Sequence, residues 1–197
     1  ICRGAGQAAG FRSADGQGGY YGPDGKNLRK AFLRSPLEFS RVTSGFSMRF
    51  HPILQTWRAH RGVDYAAAIG TRVRATADGV VEFAGWKNGY GNVVVLRHQR
   101  RHATVYGHLN GFASGMRKGA RVDQGTTIGY VGRTGMATGP HLHYEFQTDG
   151  RHQNPLTAVL PDAPPLAFNQ RAEFEKTTSP LVLRLNLIDA GKLALLD

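Results

Sequence analysis

Glycine punctuates the chain between Arg41 and Gly150 about every ten residues, and the runs between are short and rich in β-branched and aromatic side chains. "GNVVVLRH", "ATVYGHL" and "TIGYVG" are such runs. β-branched and aromatic residues pack well on a pleated surface, and glycine reverses the chain between strands. No segment in this stretch carries a sustained helical period, which argues against a parallel sheet wrapped by helices. The pattern predicts a mostly β fold, an antiparallel sheet or sandwich-like core. "TRVRATADGVVEFAGW" alternates, with Val73, Val81 and Phe83 expected to point inward.

The flanks have a different character. Residues 1–19 are rich in glycine with alanine, serine and glutamine, and read as a loose tail. The chain begins at Ile1 without methionine, which suggests a processed or truncated product. "YYGPDGKNLRKAFLRSP" contains a Pro-Asp-Gly turn, the expected end of a hairpin, followed by a short helix or strand over Leu28–Leu33. "PDAPPL" marks a linker near residue 161. Beyond it, "NQRAEFEKTTSP" predicts one short helix, and "LVLRLNLI" a strand, an edge-covering segment or an extension. The boundaries expected are 1–34 for a linker or remnant of an upstream domain, 35–160 for the main domain and 161–197 for a C-terminal extension.

A single cysteine, Cys2, rules out an internal disulfide framework. No run of apolar residues is long enough for a transmembrane helix. The formal charge of +11 concentrates in residues 41–75, with six arginines against Asp64, and in 97–122, with basic residues and no acid. Such a surface is either simply solvated or suited to a polyanion: nucleic acid, acidic lipid or an anionic wall polymer.

The chemistry concentrates in "TGPHLHYEF", residues 138–146. A strand's period of two sends His141, His143 and Glu145 to one face and Leu142, Tyr144 and Phe146 to the other. The second face is the natural core side; the first is polar and belongs in a cleft or in solvent. Upstream, "AHRGVDY" holds His60 and Asp64, and "VYGHL" holds His108. Two histidines and a carboxylate with an open position form a typical catalytic zinc set. No H-E-x-x-H helix and no G-x-S-x-G elbow is present. His98, His102 and His152 lie in polar stretches and are expected to be solvated.

"HRGVDY", "VYGHL" and "GPHLHYEF", in this order, closely resemble the lysostaphin/LytM-type zinc endopeptidases of bacterial cell walls. "SGFSMRFHPI" and "DGVVEFAGWKNGYGN" resemble segments flanking them, so the likeness covers roughly residues 35 to 160. The resemblance implies a substrate groove in the antiparallel sheet, Zn2+ held by His60, Asp64 and His143, and catalytic imidazoles at His141 and His108. It assigns the proton and the developing oxyanion to these two imidazoles without fixing which is the base; we assign the base to His141, beside the metal site, and the oxyanion to His108. Glu145 becomes either an orienting partner of a ligand histidine or a structural strand residue. Arg49 and Asn92 become candidates for lining the groove. The entry segment resembles Gram-negative envelope members, which implies a D,D-endopeptidase cutting D-alanyl–meso-diaminopimelate cross-links of peptidoglycan in the periplasm or outside the cell. The alternatives are a glycyl-glycine endopeptidase, a non-catalytic activator of wall amidases and, far behind, a basic nucleic-acid-binding barrel; a nucleic-acid partner is not expected. An upstream domain that regulates access to the groove is a further expectation of the resemblance.

Overall fold

A computed structural model describes residues 9–12, 18–28, 30–51, 56–98, 101–163 and 165–193. The chain divides into two compact units, residues 32–160 and residues 1–31 with 161–197.

The larger unit is built on a ten-stranded antiparallel sheet. The strands of this unit are β3 (Arg41–Ser44), β4 (Ser47–His51), β5 (Thr56–His60), β6 (Val63–Ala66), β7 (Arg72–Arg74), β8 (Gly79–Lys87), β9 (Gly91–His98), β10 (His102–Phe112), β11 (Arg121–Val122), β12 (Thr127–Val131), β13 (His141–Thr148) and β14 (Arg151–Gln153). The main path runs β11-β8-β9-β10-β13-β6-β3; β12 bridges β10 and β7, β14 continues from β13, and β4 and β5 pair as a separate hairpin. The three runs first read as strands are β9, β10 and β12.

One sheet face closes the core. Val63, Val81, Leu96, Tyr106, Leu109 and Leu142 are almost completely buried on it, each worth about 1.5–3 kcal/mol. The core also holds polar atoms, and those of Thr76, His98, Thr104, Tyr106 and Tyr144 are paired. Tyr106 Oη meets the Thr76 amide at 3.0 Å and Thr104 Oγ1 at 2.9 Å, and Tyr144 Oη meets Thr76 Oγ1 at 3.1 Å. Thr104 Oγ1 in turn meets His98 Nε2 at 2.6 Å, and His98 Nδ1 donates to the Asp78 carbonyl at 2.8 Å.

His98 is therefore a buried structural residue, contrary to the polar reading of its surroundings. His102 stacks on Phe146 at 5.5 Å between ring centroids, and Phe32 caps both. Local polarity misjudged these rings because a histidine can spend both nitrogens on neighbours inside a sheet.

Phe83 corrects the simple alternation. The β8–β9 register runs Val81↔Leu96 and then Phe83↔Val95, so Glu82 is an extra residue. This bulge leaves Val81 in the core and turns Phe83 to the opposite face, where it is 38% exposed.

In the smaller unit, β1 (Ala9–Arg12) pairs with β2 (Gly18–Tyr21). Part of the stretch read as a loose tail is thus a hairpin; residues 1–8 and 13–17 lie outside the described residues. The Pro-Asp-Gly turn forms as expected, with the Gly25 amide donating to Gly22 O and Tyr21 bridging to Asn27. Leu28–Leu33 forms neither helix nor strand among its described residues. Phe11 and Leu166 pack with Phe174. The C-terminal segment is one helix, α1 (Phe168–Leu193), with Pro180 inside it. The short helix expected over residues 169–180 forms and continues through the segment read as a strand, an edge-covering segment or an extension. Pro180 removes an amide donor, while Thr177, Thr178 and Ser179 bond back to the carbonyls of the preceding turn at 2.6–2.8 Å. No described helix is long and apolar enough to cross a membrane.

Candidate metal centre

Strand β13 presents His143 between β6 and β10, paired with Asp64 on one side and Gly107 on the other. His60 enters from the end of β5. The three side chains converge: His60 Nε2 lies 3.0 Å from Asp64 Oδ1, His143 Nδ1 lies 2.8 Å from the same oxygen, and the two nitrogens are 3.1 Å apart. All three residues are buried.

Their outer atoms fix the tautomers. His60 Nδ1 faces the Gly45 carbonyl at 2.7 Å, so that nitrogen carries the proton. His143 Nε2 faces Glu145 Oε1 at 3.1 Å, so it too donates outward. What remains is two imidazole lone pairs and a carboxylate oxygen aimed at one another. Three buried acceptors within such distances require a cation among them, or a proton. Two imidazoles and one carboxylate with their remote nitrogens anchored are the donor chemistry of a zinc site. The same environment sets the proton equilibria. Asp64 is held far below the usual carboxylate range: burial disfavours its charge, but hydrogen bonds and charge from His143 and His60 outweigh burial. Burial also opposes charge on His143, and Asp64 and Glu145 overcome it, raising its pKa to about 9.

Glu145 is 1% exposed, and both its oxygens are occupied. Oε1 accepts from Tyr90 Oη at 2.7 Å and from His143; Oε2 meets Gln147 Nε2 at 3.1 Å and His152 Nε2 at 3.0 Å. Burial pushes its pKa up, yet these partners, His143 first, pull it down to about 2. His152 is therefore half-buried against Glu145 rather than solvated. Tyr90, Gln147 and His152 escaped sequence reading because they lie on different loops and strands. Only the period-two relation of Gln147 to Glu145 was visible.

Gly62 explains a local sequence choice. A Cβ there would sit 2.6 Å from the Tyr144 carbonyl and 2.7 Å from His143 Cε1. Only glycine lets the chain between His60 and Asp64 pass this close beneath the ring.

Two further histidines stand beside the cluster. His141 Nε2 lies 3.8 Å from Asp64 Oδ1, with Nδ1 donating to Gly139 O at 2.8 Å. The His108 ring lies 4.7 Å from the His141 ring, and its Nδ1 donates to Thr134 O at 2.7 Å. Neutral, both rings present an unprotonated Nε2. Burial pushes the His108 pKa down to about 4, against the opposing pull of the Thr134 carbonyl.

His108 reaches this position through a bulge. The β10–β9 register passes from Tyr106↔Val94 to Leu109↔Asn92, one residue longer on β10. His108 takes φ of +59°, a left-handed conformation uncommon outside glycine. Leu109 fills the core position and His108 faces the metal set. Thr134 locks the loop behind it, accepting from the Asn92 amide and donating to Leu109 O. The His60, Tyr90, His108 and His143 side chains help line a cavity of about 290 Å³.

Asn92 does not line this cavity; its side-chain amide turns to the Asn110 carbonyl at 3.5 Å. Arg49 pairs with Arg58 along β4 and β5, and its side chain lies outside the described residues.

The profile of peptidase family M23 matches residues 58–155, which span the three convergent donors and both neighbouring histidines. The catalytic domain of a point mutant of the prophage-encoded M23 protein EnpA from Enterococcus faecalis is 32% identical; the match covers 62% of this chain and 95% of that domain, with a TM-score of 0.53. The chain belongs to peptidase family M23. Among its relatives, the peptidoglycan DD-endopeptidase ShyC of Vibrio cholerae is 47% identical over 161 residues, 81% of this chain and 37% of that protein. A zinc-containing peptidase from Vibrio cholerae superposes with a TM-score of 0.63 at 35% identity, over 78% of this chain and 47% of that one. The chain spans little more than a third of the length of the curated M23 relatives it matches.

Proposed function

We propose that this chain carries a zinc-dependent peptidoglycan DD-endopeptidase that hydrolyses D-alanyl–meso-diaminopimelate cross-links in the cell envelope, with residues 35–160 as its catalytic domain. The observation that carries the reading is the convergence of three buried lone-pair donors beside two further imidazoles, His141 with Nε2 3.8 Å from Asp64 Oδ1 and His108 with its ring 5.9 Å from that of His143.

His60 Nε2, Asp64 Oδ1 and His143 Nδ1 would hold the ion. Bound there, zinc supplies Lewis acidity for activating water and polarising the scissile carbonyl. The protein does the rest. Gly45 O and Glu145 keep the two ligand rings in the required tautomer, and Tyr90, Gln147 and His152 keep Glu145 in place. His141 Nε2, nearest to Asp64, is positioned to accept a proton. His108 also offers an acceptor at Nε2; its depressed pKa means that the ring enters neutral and makes it a weak base. Once protonated, it can donate to the oxyanion or the leaving amine. The name of the Vibrio relative supports the substrate class, and the envelope location follows from that substrate.

Zinc content of purified protein, combined with digestion of defined cross-linked muropeptides, tests the reading. The expected result is one zinc per chain and conversion of dimers to monomers with intact stems. Zinc near zero in both native protein and His143→Ala overturns the site. Release of free stem peptides indicates an amidase instead.

A further inference from the structure

A second and larger cavity, about 740 Å³, lies on the same face of the sheet beside the metal set and shares Asn88, Tyr90 and Glu145 with the smaller one. Its floor is ordered by strand register. Phe83, Val95, Val105 and Glu145 form one row across β8, β9, β10 and β13. Arg97, Ala103 and Gln147 form the next. Trp86, 62% exposed, and Phe83 stand at the β8 end. On the edge away from β9, β8 pairs only with β11, at Gly79 and Val80, among the described residues. The trough therefore opens at that side.

Three properties define its ligand. The first is charge. The chain carries +11, yet the trough is lined by three cations, Lys87, Arg97 and Arg101, and three carboxylates, Glu82, Asp149 and Glu145. Arg97 meets Glu82 at 2.7 Å, Arg101 meets Asp149 at 2.6 Å, and the Lys87 ammonium sits 5.6 Å from the Tyr90 ring centre. A balanced trough in a basic protein does not select a polyanion. The second is surface chemistry. Flat aromatic faces beside planar amide, carboxylate and guanidinium groups match a sugar ring, with its C–H faces and its hydroxyl and acetamido rim. The third is length. Three strand spacings of about 4.8 Å put the Phe83 end about 14 Å from Glu145. A stem of about four residues, extended at about 3.3–3.6 Å each, covers that span.

We infer that the trough between β8 and β13 is a glycan subsite: it takes the neutral N-acetylated amino-sugar chain from which the scissile peptide hangs, with Trp86 and Phe83 as its platform. The inference rests on the proposed peptidoglycan substrate for its biological setting. The amino sugar bearing the stem is neutral because its acid group is consumed in the amide to the peptide. The polymer would cross the open β8 edge while the stem runs over Val95 and Val105 toward the metal set.

The test compares two substrates that differ only in sugar: a cross-linked disaccharide-peptide dimer, and the same dimer stripped of sugar by an amidase. Trp86→Ala and Phe83→Ala should lower kcat/KM on the sugar-bearing dimer about tenfold, the loss of one aromatic platform contact. Their loss on the stripped dimer should be at least about fivefold smaller, with Tm showing both variants folded. Equal losses on both substrates would make the trough a peptide wall and overturn the inference, as would no loss on either. A binding readout separates this outcome from failure of the catalytic reading. The chain has two tryptophans, so Trp57→Phe leaves Trp86 as the only indole. Its emission should shift saturably with an uncharged β-1,4-linked N-acetylglucosamine tetramer, and no such shift overturns the subsite. If wild-type protein cleaves neither dimer while this titration saturates, the endopeptidase reading falls and the glycan subsite stands.

Discussion

Replacing Gly62 by alanine should weaken the metal centre without touching any of its donors. The added Cβ would meet the Tyr144 carbonyl at 2.6 Å and the His143 ring at 2.7 and 2.9 Å, whereas ordinary contacts begin near 3.4 Å. Something must move by about 0.7 Å. The carbonyl belongs to the β13–β6 ladder, where Tyr144 pairs with Val63. The ring is the softer neighbour. It is held by Glu145 at 3.1 Å and Asp64 at 2.8 Å, and a shift of this size exceeds the margin between a 3.1 Å bond and the roughly 3.5 Å where a hydrogen bond ceases. Overpacking of this kind costs about 1–3 kcal/mol, a Tm decrease of roughly 3–10 °C. Loss of a partner that orients a ligand histidine costs about 10–100-fold in metal affinity. Chelator competition on Gly62→Ala measures the zinc affinity, and calorimetry the stability. A variant that binds zinc within twofold of wild type, at unchanged Tm, would refute the close-approach argument.

Other outcomes follow from the same geometry. His108→Ala should keep its zinc and lose about 10²–10⁴-fold in kcat, since it handles a proton without binding metal; loss of zinc would make it a ligand. Glu145→Gln keeps the shape but not the charge facing His143, and should lower zinc affinity by about 10–100-fold in a chelator titration. Burial holds the His98 pKa below its ordinary 6.5, against the Asp78 hydrogen bond. The unfolded chain therefore takes the proton first. This contribution to stability is complete above about 6.5 and is lost as the pH falls toward the folded value. Tm measured from pH 7.5 to 5 should fall less steeply in His98→Gln than in wild type, and equal slopes would remove His98 as a source of acid sensitivity.

Regular strands were legible in the sequence, and the residues they carry were legible with them. "HLHYEF" put Leu142, Tyr144 and Phe146 in the core and His141, His143 and Glu145 on the other face by a period of two alone, and β13 has that arrangement. Burial of that second face was not visible. Glu145 is sealed by Tyr90, Gln147 and His152, and the bond from Tyr90, on a distant turn, leaves no periodic trace. Helix α1 was legible only up to Pro180 for a related reason: it has no continuous apolar stripe, and Pro180 reads as a stop. The family motifs supplied the association of His60, Asp64 and His143; H-x-x-x-D in a glycine-containing loop is uninformative until Gly62 is seen beneath a ring.

The departures from simple alternation have a common cause and a common effect. Uninterrupted β10 would send His108 to the same face as Tyr106, into the core; uninterrupted β8 would do the same to Phe83 after Val81. One extra residue in each strand prevents this. Both bulges turn a ring onto the face that carries His143 and Glu145, while Leu109 and Val81 keep the hydrophobic layer closed behind them. A bulge re-aims one side chain at the cost of a local ladder contact, so the sheet acquires functional groups without opening its core. The consequence is separable by mutation. Deleting Phe83 should restore regular alternation, with Glu82 taking the place opposite Val95 and Ala84 staying opposite Val94, and so strip the trough of a platform while leaving the His60–Asp64–His143 set on the far strands intact. Zinc affinity near the wild-type value with a selective loss on sugar-bearing substrate is the expected outcome. Loss of zinc together with glycan discrimination would mean that the two ends of the sheet face are mechanically one.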